Sequence, residues 1–143
     1  MQVQFYLLNP DEPAQLPALL LQTCRLCAEL YRANQRVFVY CPNQQDAERL
    51  DEVLWQFDPD SFVPHNLAGE GPPRGAPIEI SWQMPKTSRN VLVNWTSEVP
   101  PFANRYSKVI EFVPADEAGK IAARQKFKFY RQLGVTPETV PAS

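Results

Sequence analysis

A chain of 143 residues with 44% hydrophobic and 21% charged residues is sized for one compact domain with a genuine core. Its net charge of −2 argues against a surface that is basic throughout, so affinity for an acidic or phosphate-bearing partner must come from a local patch. No apolar run approaches the ~20 residues of a membrane span, and the N-terminus lacks the basic-then-apolar layout of a signal peptide, so no membrane and a cytoplasmic location are expected.

In chain order, Val3–Leu8 is apolar and aromatic and predicts a buried strand, stopped by Asn9-Pro10-Asp11. From about Pro13 to Ala33 the period becomes helical, with Leu16, Leu19, Leu20, Cys24, Cys27, Leu30 and Tyr31 on one face. Cys24 and Cys27 have the spacing of a redox or zinc half-site, but the second pair that zinc requires is absent. Their place on the apolar face predicts core packing, and no metal ligand is assigned. Arg36–Cys41 reads as a second strand. Asn43, with Asp46 three residues on, predicts the N-cap of a helix over Gln44–Gln56. Its core stripe is Ala47, Leu50, Val53 and Leu54; Trp55 projects to one side, either covered by a loop or exposed to a partner.

Ser61–Gly71 holds the single histidine, His65, among glycines and aromatics, and resembles an active-site loop at first sight. A phosphate loop would need a lysine followed by serine or threonine and then a helix, whereas Gly69, Gly71 and Gly75 lead to Pro77 and a strand. A catalytic histidine would need a nucleophile and an orienting carboxylate, and the sequence does not bring Ser61 or Glu70 to it. No catalytic residue is therefore assigned. A backbone-bonded histidine is the plain expectation, and Trp55, Phe62, Pro64 and His65 form a candidate interface surface.

Ile78–Trp82 and Val91–Trp95 are strand-like, and the link near Met84–Asn90 is too short for a crossover helix. One of the two is expected to run antiparallel, or the two to be non-adjacent. Lys108–Val113 is the last expected strand, ended by Pro114. Asp116 and Glu117 open a final helix to about Leu133, with Gly134 as its C′ residue. Ala118, Ala122, Phe129 and Leu133 are expected to face the sheet, with Lys120, Arg124, Lys128 and Arg131 opposite and Phe127 at the edge of that basic face. Such a ridge is most simply a solvated face complementing the helix dipole. It also suits an acidic peptide with a hydrophobic anchor, or direct contact with single-stranded nucleic acid. Alternating strands and helices predict a single α/β domain over residues 1–143, three layers deep, with a mostly parallel sheet flanked by helices.

Several segments resemble the chi subunit family of bacterial DNA polymerase III. They are Phe5-Tyr6-Leu7-Leu8, Leu50-Asp51-Glu52 with Leu54-Trp55, the string from Phe62 to Gly71, Pro73 to Ile80, Phe112-Val113-Pro114, and Lys128 with Tyr130-Arg131. The resemblance runs in order along nearly the whole chain. It implies an α/β fold akin to nucleotide-binding domains without a nucleotide site, and a non-catalytic accessory subunit of the clamp loader that needs no cofactor. It implies pairing with the psi subunit, which tethers the chain to the clamp loader and so to DNA indirectly. It further implies binding of the acidic C-terminal tail of single-stranded DNA-binding protein, which ends in phenylalanine. Carried over position by position, Arg124 would hold the tail's terminal carboxylate while Lys120 and Lys128 attract its acids. Phe127 and Val113 would line the ring's pocket; the family often has tyrosine where this chain has Phe127. The psi surface maps to Trp55, Phe62, Pro64 and His65.

Overall fold

The computed structural model describes residues 1–8, 15–57 and 63–141, the side chains of 15–17 excepted. The expected turn at Asn9-Pro10-Asp11, the helix start at Pro13, the side chain of Leu16, and Ser61 and Phe62 lie outside the described residues. The elements are β1 (Gln2–Leu7), α1 (Gln15–Arg32), β2 (Val37–Tyr40), α2 (Gln44–Gln56), β3 (His65–Leu67), β4 (Ile78–Ser81), β5 (Val91–Asn94), a 3-10 turn (Ala103–Arg105), β6 (Lys108–Val113), α3 (Glu117–Gln132) and β7 (Glu138–Val140).

Among the described residues the strands form one sheet in the order β3-β4-β2-β5-β6-β1-β7, every pair parallel. The short link between β4 and β5 is explained by β2 lying between them: the two are non-adjacent, and neither is antiparallel. Side chains alternate across the strands. Val37, Val39, Val91, Val93, Ile110 and Phe112 join the core under α1 and α2. Val3, Phe5, Phe38, Leu92 and Val109 join Ala123 and Tyr130 of α3 on the other face. A sheet between two helical layers buries both of its faces, so its strands read as continuous apolar runs.

In α1, Cys24 and Cys27 are fully buried, as the apolar face predicts. Burial pushes the Cys24 thiol up to about 12 and moves Cys27 and Cys41 in the same direction, so none is a thiolate at neutral pH. In α2, Asn43 Oδ1 accepts from the Asp46 backbone N–H at 2.8 Å, a cap worth about 1 kcal/mol. Ala47, Leu50 and Leu54 are buried and Val53 packs partly against them.

The expected face of α3 is corrected by the structure. Ala123, Lys126 and Tyr130 point at the sheet, while Ala118 is exposed, Ala122 is half-buried, and Phe129 and Leu133 are 46% and 55% exposed. The true stripe runs Ala123, Lys126, Phe127, Tyr130, the i, i+3, i+4, i+7 pattern, but a lysine in the middle disguises it. What makes a buried lysine tolerable is Glu111 of β6, whose Oε1 accepts from Lys126 Nζ at 2.7 Å. Tyr130 Oη donates to Glu111 Oε2 at 2.7 Å, and Asn94 Nδ2 donates to both oxygens. The helix ends in a Schellman motif. Val135 N–H donates to Tyr130 O and Gly134 N–H to Arg131 O, with Gly134 at φ +86°, a left-handed conformation that glycine adopts without strain.

Candidate functional site

The sequence marks two candidate surfaces, and they lie on different elements. The first is a groove of about 330 Å³ between β1, β6, β7 and the amino-terminal half of α3. Its floor is Phe5, Ala123, Phe127 and Val113, and Lys120 and Arg124 stand on its helical side. Phe127 is set by the ring of Phe5, with centroids 5.4 Å apart. Arg124 is exposed, and Lys120 is half-buried with Glu117 4.0 Å away. An exposed pair at that distance holds little energy, so the ammonium is available to a partner. Helical spacing brings Lys120, Arg124 and Phe127 to one side of α3, and β6 delivers Val113 beside them. Lys128 does not line the groove; it is exposed one turn beyond Arg124.

Three further contributors carry no local signal of their place here. Phe5 and Leu7 come from β1, and Thr139 from β7, a strand absent from the sequence expectations. Thr139-Val140 after Pro137 is a β-branched pair, the available signal for that strand. An aromatic floor bordered by two cations can bury one apolar side chain while a guanidinium holds a carboxylate beside it.

The second surface centres on Trp55, which is 59% exposed and lies over the His65 ring with centroids 4.7 Å apart. His65 opens β3 rather than sitting in a loop. Its side chain is only 1% accessible: Nδ1 lies 2.7 Å from Val63 O and Nε2 2.9 Å from Asp51 O, with Asp51 Oδ1 at 3.5 Å. Burial pushes the Asp51 carboxyl up, and His65 partly offsets this. Both ring nitrogens thus face oxygens of the protein itself, the arrangement of a histidine that ties α2 to β3. His65 belongs behind this surface, as the support of Trp55; Pro64 is half-buried at its edge. Phe62 lies outside the described residues.

Among the described residues no group of three or more His, Cys, Asp or Glu side chains is arranged to hold a metal ion, and no helix is long and apolar enough to cross a membrane.

Residues 1–138 match the family model for the DNA polymerase III chi subunit, HolC. The chain is 41% identical over 138 residues to the DNA polymerase III subunit chi of Escherichia coli K12, covering 94% of each. It is 38% identical over 133 residues to that of Haemophilus influenzae, covering 92% of this chain and 90% of the relative. Against that of Pseudomonas aeruginosa it is 35% identical over 134 residues, covering 93% and 91%. Among solved structures, the C-terminal domain of S. cerevisiae Dbp5 bound to Gle1 and IP6 superposes with a TM-score of 0.56 at 12% identity, covering 97% of this chain and 90% of that one. At that identity the likeness concerns the fold alone.

Proposed function

Because the chain belongs to the family of DNA polymerase III chi subunits, we propose that it acts in the bacterial cytoplasm as a non-catalytic adaptor of the replicative polymerase. In this reading the groove beside α3 receives the acidic C-terminal tail of single-stranded DNA-binding protein. The Trp55 surface docks the psi subunit, and through psi the clamp loader. The observation that carries the reading is the groove itself: Val113, Phe127, Lys120 and Arg124 line one concavity. A terminal phenylalanine offers the matching pair, a ring for the floor and a carboxylate for Arg124. Lys120 and Lys128, one turn to either side of Arg124 on α3, would then attract the upstream acids.

The test is titration of a labelled acidic peptide ending in Pro-Phe. Arg124→Ala should weaken binding by about 1.5–3 kcal/mol, the range for loss of a charged hydrogen-bond partner. Amidation of the peptide's terminal carboxylate should weaken it by a similar amount. Wild-type affinity in the variant would reject the groove as the tail site. Trp55→Ala and Phe62→Ala should spare the peptide and weaken capture of psi; loss of both activities together would mean that the two surfaces are not separate.

A further inference from the structure

A second concentration of positive charge lies away from α3, at the amino ends of the central strands. Arg36 immediately precedes β2, Arg89 lies two residues before β5, and Lys108 opens β6. Arg74 and Lys86 come from the turns on either side of β4, and Arg105 from the 3-10 turn before β6. These are six of the fourteen lysines and arginines of a chain whose net charge is −2. The carboxylate among them, Glu79, is buried and committed to Arg89 at 3.3 Å. Among the described residues no carboxylate lies within 4.0 Å of Arg36, Arg74, Lys86, Arg105 or Lys108.

Five of these cations, all but Lys108, border two adjoining clefts. One, of about 140 Å³, lies between Lys86, Arg89 and Arg105. The other, of about 430 Å³, lies between Arg36 and Arg74. Thr87 and Ser88 line both, forming a rib of hydroxyl-bearing residues between them. The framework is held from beneath. Arg36 donates to Arg74 O at 3.0 Å and Arg89 donates to the same oxygen at 3.1 Å, while Arg89 Nε donates to Thr87 Oγ1 at 3.1 Å. With Glu79 already paired to Arg89, the remaining like charges create a local positive potential that an anion neutralises.

We propose that this end of the sheet is a contact surface for the phosphate backbone of single-stranded DNA, separate from the peptide groove. The cations are spread over two clefts in series instead of converging on one point, which fits consecutive phosphates better than one isolated anion. The clefts are inset, so a flexible strand follows them more readily than a rigid duplex. Tyr106, the aromatic residue at the first cleft, is buried, which leaves no stacking platform for bases there and makes the contact indifferent to sequence.

The experiment is anisotropy titration of the full chain with labelled oligothymidylate and with a duplex of equal length, over a salt series. Arg74→Ala, Lys86→Ala and Arg105→Ala combined remove three exposed cations and no buried contact. The triple variant should bind oligothymidylate at least tenfold more weakly at about 50 mM salt. It should also flatten the logarithmic salt slope by about 2, since each single-strand phosphate contact contributes about 0.7. The variant should keep its affinity for the acidic peptide, and Arg124→Ala should keep its affinity for the oligonucleotide, so the two sites stand or fall separately. Wild-type oligonucleotide binding by the triple variant overturns the proposal. So does tighter binding of the duplex, or binding of inorganic pyrophosphate at this end without the oligonucleotide.

Discussion

Replacing Lys126 by alanine should destabilise the fold by about 3–5 kcal/mol, because it strips the counter-charge from a carboxylate that is completely buried. Glu111 would keep its bonds from Tyr130 and Asn94 but lose both the ammonium at 2.7 Å and its charge. Thr96 O, which accepts from Lys126 Nζ at 3.0 Å, would lose its donor as well. Burial holds the Glu111 carboxyl above its ordinary range, and Lys126 is the largest influence pulling it back. With the folded value above the unfolded one, the folded state keeps this proton longer, and stability contributed by the group falls as pH rises through that interval. Removing Lys126 widens the interval. The variant's deficit should therefore be greatest near neutral pH and shrink as the solution is acidified. Urea unfolding across pH reads this directly, and a pH-independent deficit would contradict it. Adding Glu111→Gln to the variant should recover a large part of the loss, since the pair is coupled.

Arg89→Ala should be comparably costly, about 3–5 kcal/mol, for a related reason. The side chain is fully buried, and besides Glu79 it serves four backbone carbonyls: Ala76 O at 2.7 Å, Pro77 O at 2.8 Å, Arg74 O at 3.1 Å and Val37 O at 3.3 Å. Its planar fork matches these directions, whereas a lysine offers one point charge, so Arg89→Lys should rescue little. Gly75 explains how the loop comes so close. At φ +73° it has no Cβ, and one built there would run into Glu79 and Arg89. Without the guanidinium, the 74–77 turn loses its anchor, and the amides of Gly75 and Ala76, now bonded to Pro72 O and Asn66 Oδ1, should exchange faster. Protection unchanged at those two amides would show that the turn is held by something else.

Both of these clusters were hidden from sequence reasoning, and the reason is physical. In Lys-Val-Ile-Glu-Phe-Val a glutamate reads as the wet side of a strand, and nothing local announces a lysine fifteen residues on that covers it. The same lysine then rotated the expected face of α3. By contrast α2 was legible to the residue, because its cap, its stripe and its off-stripe tryptophan are all encoded within one stretch of chain. The three-residue strands β3 and β7 are too short to show alternation; they exist because β4 and β1 present edges to pair with. The same division runs through the candidate groove. Lys120, Arg124 and Phe127 follow from helical period alone, while Phe5, Leu7 and Thr139 join them only through the pairing of β1 with β7.

That pairing also sets a timetable. In the sheet order, β1 lies between β6 and β7, so the first strand to be synthesised waits for the last two before it has any partner. Contacts this distant in sequence form late, after the long intervening loop has been closed. The α1, β2 and α2 region can begin to organise on the ribosome, but the groove cannot, since its walls come from both ends of the described chain. A nascent or C-terminally clipped polypeptide would carry the Trp55 helix without the groove, and partner recognition there would be reserved for finished molecules.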